Sequence, residues 1–356
     1  MDIRQNIPLA QFTTFGIGGA ARWFAEARSE DDVVEAATWA RQHSAPLFVL
    51  GGGSNLLVAD SGFDGLVLRI ALLGIETTCE GTGQGTVSAA AGEDWEACVQ
   101  RSLDAGWAGL ECLSGIPGTV GGTPVQNVGA YGQEVASVIR RVRAFNIAEQ
   151  AFVEFSANDC GFSYRRSRFN TCDQGQFVVT RVEYQLSPGG APALRYAELE
   201  RAVEASRSTG PQPTLTEVAA IVRRIRQSKG MLLMEGDPDC RSAGSFFKNP
   251  VISEEHYQRI AERSAQAPPR YPAGAGAANR GRVKVPAAWL IEHAGFAKGF
   301  AAGAAGISSR HTLALINRCG ATAQAVLDLA ADISAAVEDR YSIRLEREPV
   351  MVGIPT

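Results

Sequence analysis

The sequence predicts an α+β protein large enough for two domains, and three observations carry that reading. Its 356 residues allow two domains, or one large domain with insertions. Short strand-like runs and capped amphipathic helices follow one another without any repeat. Two glycine-rich stretches, 51–56 and 114–132, interrupt the pattern where neither a packed helix nor a central strand is expected to pass.

Composition narrows the function classes. A net charge of −4 shows no basic excess, which excludes bulk nucleic-acid binding. An apolar content of 45% is ordinary for a soluble globular chain. The seven cysteines are scattered, odd in number and without a C-x-x-C pair, which argues against a disulfide framework and against a structural zinc site, and no metal is expected. Residues 1–6 lack the apolar core of a signal peptide, and no apolar run is long enough to span a membrane. A cytoplasmic protein without membrane insertion is expected.

In chain order, Gly16, Gly18 and Ala21 satisfy the loose dinucleotide fingerprint G-x-G-x-x-A. The strand-like run at 22–26 after them argues against a Rossmann site. Ser29 and Asp32 make a capping box for a helix carrying Val33, Val34, Ala37 and Ala40 at helical spacing. A buried strand at 47–50 leads into Gly51-Gly52-Gly53-Ser54-Asn55, which lacks the Lys-Ser/Thr ending of a P-loop. Strands are expected at 66–71 and 86–91, divided by a turn at 81–85. A helix from Asp94 then carries Trp95, Cys98, Val99 and Leu103 on one face.

After the 114–132 loop, a hairpin at 138–147 and 151–155 and a strand at 176–186 are expected. A short helix at 196–205 precedes a stronger one capped by Thr214 and Glu217, which ends basic at Arg223, Arg224, Arg226 and Lys229. If 241–250 is extended, Ser245, Phe247 and Asn249 share a face. A helix at 253–265, a linker at 267–281, a strand at 283–285, a helix at 287–294 with Pro286 at its first position, a strand at 313–316 and a long helix at 323–341 follow. A final strand at 343–352 would set Arg344, Glu346 and Glu348 on one face.

The 114–132 stretch reads as a neutral, glycine-lined cradle for a phosphate-bearing or flat heteroaromatic ligand held by backbone N–H groups. The 51–56 stretch reads as a second ligand contact. In Tyr164-Arg165-Arg166-Ser167-Arg168, flanking aromatics suggest partial burial, and a buried arginine needs an anionic partner.

Several segments together resemble the UDP-N-acetylenolpyruvoylglucosamine reductase family: Thr14 to Gly19, Gly51 to Leu56, Gly115 to Gly132, Phe162 to Phe169, Ala243 to Pro250, Ala288 to Glu292 and Leu345 to Glu348. They fall in family order and span nearly the whole chain. The resemblance implies a two-subdomain FAD-binding fold of the p-cresol methylhydroxylase and vanillyl-alcohol oxidase type, plus a C-terminal α+β substrate-binding domain. Its expected boundaries are 1–65 and 66–225 for the FAD-binding subdomains and 226–344 for the substrate domain, with 345–356 able to return to the second subdomain.

It further implies an oxidoreductase that uses non-covalent FAD, and NADPH as hydride donor, to reduce UDP-N-acetyl-enolpyruvoylglucosamine to UDP-N-acetylmuramate in bacterial peptidoglycan synthesis, and so in cell-wall biogenesis, cell shape and division. By resemblance Arg165, Ser245 and Glu348 are catalytic, Ser245 as proton donor. Gly51, Gly52, Gly53, Ser54, Asn55, Leu56, Gly115, Ile116, Gly118, Thr119, Gly121, Gly122, Gln126, Asn127, Gly129, Ala130 and Tyr131 hold the cofactor. Tyr164, Tyr196, Lys229, Asn249, Tyr271 and Lys284 hold the UDP-sugar, and Tyr196 marks the larger form of the family, in which a tyrosine-bearing loop covers the substrate. A monomer without an obligate protein partner is expected.

Pro349 stands where the family has a β-branched residue, so the last strand is expected to bend or lie at an edge, with Glu346 as fallback for Glu348. Ser242 and His293 are further departures. Competing readings are a flavin oxidase of the same fold with another substrate, a non-catalytic flavin or nucleotide-binding module, and an ATP-dependent transferase. The transferase lacks its Lys-Ser/Thr and acidic motifs here. The module would not need Arg165, Ser245 and Glu348.

Overall fold

Apolar side chains gather into two large cores, with a smaller cluster around Leu199, Val203, Val218 and Val222, in the computed structural model, which describes residues 1–80, 83–206, 212–273 and 280–354. The chain divides accordingly. Unit 1 comprises Met1–Ile7, Ala20–Gly53 and Phe63–Ser228; unit 2 comprises Pro8–Gly19, Ser54–Gly62 and Lys229–Thr356.

Unit 1 holds two large sheets and a short antiparallel pair, Gly129–Ala130 with Gln133–Glu134. In the first, of order Arg4–Pro8, Ala20–Ala27, Phe63–Ile70, Leu47–Leu50, the last three strands are parallel. The capping box is present: Ser29 Oγ accepts from the Asp32 N–H and Asp32 from the Ser29 N–H, opening the helix Glu30–Gln42. Its Val33, Ala36, Ala37 and Ala40 are buried, so the parallel strands are covered on that face. The second sheet is antiparallel, in the order Ala151–Ser156, Ile139–Asn146, Phe177–Pro188, Gln84–Ala90, Ile75–Glu80. The strand Ile75–Glu80 is not legible in its polar sequence, which offers the unit 1 core only Ile75 and pairs with Gln84–Ala90 at the sheet margin. The turn expected at 81–85 lies partly outside the described residues. Helices Trp95–Asp104 and Leu215–Ser228 pack their apolar faces inward.

Unit 2 has a parallel pair, Leu56–Val58 with Val350–Val352, and a three-stranded sheet in the order Val251–Ser253, Arg282–Lys284, Tyr271–Pro272. A second three-stranded sheet runs Ala301–Ala302, Ala305–Ile307, Leu315–Asn317, and the main helices are Glu254–Arg263, Ala287–His293 and Ala323–Tyr341. The 15–19 segment finds its role here. A Cβ on Gly18 would lie 2.7 Å from Val58 Cβ, and one on Gly19 2.3 Å from the Asp60 carbonyl. These glycines serve close packing of the chain on itself.

Three sequence expectations change. The 114–132 loop contains one helical turn, Gly122–Gln126, which tolerates Pro124 in its first turn, where no intrahelical N–H bond is required, and ends on Asn127 at φ +43°. Pro286 is the N-cap of its helix, with extended backbone, and Ala287 is the first helical residue. The last strand begins only at Val350, directly after Pro349, which has no N–H to give a ladder. Residues 274–279 of the expected linker lie outside the described residues.

A polar network fixes the segment leading to Ser245. Arg310 Nε donates to Asp239 at 2.9 Å and its terminal nitrogen to Asp237, while Ser309 gives Asp239 its N–H at 3.0 Å and its hydroxyl at 2.6 Å. Burial pushes the Asp239 carboxyl up, but the Ser309 and Arg310 hydrogen bonds outweigh it and hold the group below its usual 3.8; Asp237 is lowered in the same way by Arg310 and the Asp239 N–H. A carboxylate with a lowered folded-state pKa stabilises above its unfolded value and loses that contribution as pH falls through the folded one. Arg310→Ala is therefore expected to cost about 2 kcal/mol at neutral pH. Urea unfolding should show that deficit shrinking as the pH drops below 3.8.

Candidate functional site

In unit 1 the two glycine-rich stretches meet. A Cβ on Gly51 would lie 2.8 Å from Thr119 Oγ1, and one on Gly52 would lie 2.6 Å from Gly118 Cα. Side chains there would push the strands of backbone apart, so glycine is required by contact. The second stretch is pinned from behind: Trp95 N–H donates to the Gly118 carbonyl at 3.0 Å, Val120 N–H to Glu93 at 2.9 Å, and Gly121 N–H to Ala91 at 2.9 Å. Ile116 packs against the unit 1 core, and a Cβ on Gly122 would meet open space. Thr119 Oγ1 is buried and has no hydrogen-bond partner among the described residues. A buried hydroxyl in that condition calls for a partner from outside the fold.

The far part of the loop joins the Tyr-Arg turn. Ser163 and Arg166 exchange both backbone hydrogen bonds at 3.0 Å, which makes Tyr164 and Arg165 the two central residues of a tight turn. Arg165 sits at φ +55°, Asn127 at +43° and Tyr131 at +49°. Each such residue costs about 1–2 kcal/mol of backbone strain, which persists only where surrounding contacts over-determine it. Those contacts are present. Arg165 Nη2 donates to the Gly129 carbonyl at 2.7 Å. The Asn127 amide donates to Ser163 O at 2.9 Å and Glu134 at 3.1 Å, and its oxygen accepts from Ala136 N–H at 3.2 Å. Ser167 Oγ donates to Val125 O at 2.8 Å, and Asn170 to Gln126 at 3.2 Å. Asn127 thus shapes the loop from within. The Arg165 guanidinium lies 5.5 Å from the Tyr164 ring.

Tyr131 and Tyr196 meet edge to face at 5.7 Å, with Tyr196 at the N-cap of Ala197–Ala205. Ala130 is half-buried beside them. Burial pushes the Tyr131 hydroxyl up to about 12, so it remains a donor. Arg226 went unassigned in the sequence. It is buried, and its Nε donates to the Gly115 carbonyl at 2.9 Å. Burial lowers its pKa. The available signal was spacing, since Arg226 falls four residues after Val222 and eight after Val218 on the apolar face of its helix.

Unit 2 assembles the other candidates. Asn55 holds the segment before the last strand: Val350 N–H donates to the Asn55 carbonyl at 2.9 Å, and the Asn55 amide to the Glu348 carbonyl at 3.4 Å. Thr14 Oγ1 bonds the Ser242 carbonyl at 2.5 Å and the Ser54 carbonyl at 3.5 Å. On the other side Glu348 N–H donates to Phe246 O, and Lys248 N–H to Glu346 O, both at 2.9 Å. Ser245 and Glu348 therefore lie on two antiparallel stretches joined around Phe247 and Arg347. The expected alternation through 245–249 does not hold, because Phe246 and Phe247 are both core residues, 0% and 1% exposed. Gly244 at φ +73° supplies the turn that permits this. Glu346 pairs with Lys248 at 2.6 Å and is largely solvent-exposed, whereas Glu348 is half-buried.

Tyr271 and Lys284 are directly paired across their strands, Lys284 pairs Val251 on its other side, and Asn249 precedes that strand with its side-chain oxygen accepting from Ala287 N–H at 2.9 Å. Three of the residues expected to touch the sugar nucleotide thus share one sheet margin. Lys229 is half-buried at the start of unit 2's last segment. His293 stacks on Trp289 at 3.9 Å and bonds its carbonyl at 2.8 Å.

Family models match two parts of the chain: an FAD binding domain over residues 21–152, and the UDP-N-acetylenolpyruvoylglucosamine reductase C-terminal domain over residues 237–352. Among curated relatives, the UDP-N-acetylenolpyruvoylglucosamine reductase of Thermobifida fusca is 43% identical over 98% of both chains. That of Streptomyces coelicolor is 45% identical over 98% of this chain and 90% of its own. The solved UDP-N-acetylenolpyruvylglucosamine reductase of Thermus caldophilus aligns with a TM-score of 0.64 at 27% identity, covering 99% of this chain and 100% of that one.

FAD fits the unit 1 site. The site offers a cradle closed to any Cβ at Gly51 and Gly52 and, at Thr119, a buried hydroxyl without a partner among the described residues. Gly52→Ala is expected to lower FAD occupancy of the purified protein at least about tenfold, since the new methyl must displace Gly118. Measuring the flavin-to-protein ratio checks this.

Proposed function

The chain belongs to the UDP-N-acetylenolpyruvoylglucosamine reductase family, and from that premise we propose how its own residues carry the reaction. The protein is an FAD-dependent oxidoreductase of peptidoglycan precursor synthesis that reduces UDP-N-acetyl-enolpyruvoylglucosamine to UDP-N-acetylmuramate. FAD, when bound and reduced, would supply the hydride, which we take to come from NADPH. The pairing of the Ser245 and Glu348 segments through Phe246 is the observation that carries the division of labour.

As the enolpyruvyl double bond is reduced, negative charge develops toward the substrate carboxylate. Arg165 brings a rigid fork of donors, held by the Gly129 carbonyl and by its own turn, and is assigned to that carboxylate. Glu348, half-buried and fixed by its backbone on both sides, assists there in its protonated or hydrogen-bonded form. Ser245 gives its hydroxyl proton to the second carbon. A hydroxyl is a weak acid, so it must be held close to a strongly basic centre, and the fixed backbone at Gly244 and Phe246 serves that need. Gly51, Gly52, Gly53, the 115–122 backbone and Tyr131 are assigned to the cofactor. Tyr196, Lys229, Asn249, Tyr271 and Lys284 are assigned to the sugar nucleotide, and the two lysines suit its diphosphate.

No helix among the described residues is long and apolar enough to cross a membrane. We place the protein in the bacterial cytoplasm, acting as a monomer on a soluble UDP-sugar. Separated half-reactions test the assignment. Ser245→Ala is expected to leave FAD reduction by NADPH near the wild-type rate and to slow reoxidation by the enolpyruvyl substrate by about 10²–10⁴-fold. Equal loss of both half-reactions would make Ser245 a structural residue.

A further inference from the structure

The first peptide of the cofactor loop is gripped at both ends. Glu96, in the first turn of the Trp95–Asp104 helix, accepts the Gly115 N–H at 2.5 Å through one carboxylate oxygen and the Ser114 hydroxyl at 2.8 Å through the other. Arg226 donates Nε to the carbonyl of the same glycine at 2.9 Å. Gly115 itself stands at φ +76°, so its backbone direction depends on what holds it. Arg223, one turn before Arg226, donates to Glu96 at 2.7 Å. The two ends of one helix turn and the start of another therefore converge on a single glycine at the entry to the loop.

We propose that Glu96 and Arg226 are positioning residues for the cofactor, a pair of opposite charges that clamps the N–H and C=O of Gly115 and so holds the 115–119 backbone in the shape that receives FAD. The proposal rests on the reading of unit 1 as the FAD site.

Three features separate this from ordinary surface pairing. A glutamate in a helix's first turn is favoured by the helix dipole while it points into water. Here both oxygens turn onto the loop instead. Arg226 occupies a position on the apolar face where a hydrophobic side chain would pack at lower cost, and its burial already lowers its pKa. Hydrogen bonds with an ionised partner are the stronger and more directional kind, which is what fixing a glycine demands.

The test uses the full chain stripped of FAD and titrated with FAD, followed by flavin fluorescence, beside thermal unfolding of the same apoprotein. Glu96→Ala is expected to raise the FAD dissociation constant about tenfold with the apoprotein unfolding as wild type does. Glu96→Gln, which keeps an acceptor for Gly115, should recover most of the affinity. Arg223→Ala removes only the half-exposed ion pair with Glu96 and should stay within about twofold. Should Glu96→Ala fail to fold, Glu96→Asp keeps the charge for Arg223 but falls one methylene short of Gly115, and should show the same loss of affinity. If the Glu96 variants bind FAD as wild type does, or if Arg223→Ala matches Glu96→Ala, the clamp is overturned. If the wild-type chain itself takes up no FAD, it is the reading of unit 1 that fails.

Discussion

The backbone pairing of the Phe246–Lys248 stretch with Glu346–Glu348 is the constraint on which the rest of unit 2 depends. Two adjacent phenylalanines are buried side by side, their rings 5.3 Å apart. An extended strand cannot bury consecutive side chains on one face. The chain resolves the conflict by turning at Gly244 and by making only one bridge, Phe247 to Arg347. Ser245 is thereby left at the margin of the core, and Glu348 is carried to the adjacent stretch. Pro349 then ends the pairing, and Val350 begins a different ladder with Leu56. The position of Glu348 follows from two hydrogen bonds to its backbone, from the Phe246 side and the Asn55 side.

Unit 1 solves a different problem by comparable means. Its glycine-rich loop must hold an open shape without collapsing into the core. Close packing at Gly51, Gly52 and Gly121 fixes one end. Strained residues fix the other, with Asn127, Tyr131 and Arg165 each in the left-handed region and each tied by polar contacts or ring packing. The strain at Arg165 is borne by the contacts around it, with the loop carbonyl at Gly129 holding the guanidinium.

Much of this was legible in the sequence where one residue type has one physical meaning. The capping box at Ser29, the helix 323–341 and the two glycine stretches appear where periodicity and composition put them. Resemblance supplied the family, and with it the proposed site residues. What escaped was set by contacts distant in sequence. The polar strand Ile75–Glu80 offers only Ile75 to the core, the helical turn Gly122–Gln126 rests on a single proline-tolerant position, and Glu96 meets its partners only when Ser114 and Gly115 fold back onto it. Arg226 was visible as part of a basic helix end, but its burial could be read only from its spacing to Val218 and Val222.

The central claim is that Ser245 and Glu348, joined through the Phe246 backbone, act on one substrate as a unit. A double-mutant cycle on the rate at which the reduced protein reacts with the enolpyruvyl substrate tests it most directly. Residues acting as a unit are strongly non-additive. Ser245→Ala combined with Glu348→Gln should then be slowed little beyond the slower single variant. If the two losses multiply, each residue acts on its own, and the pairing of their strands has no part in the chemistry.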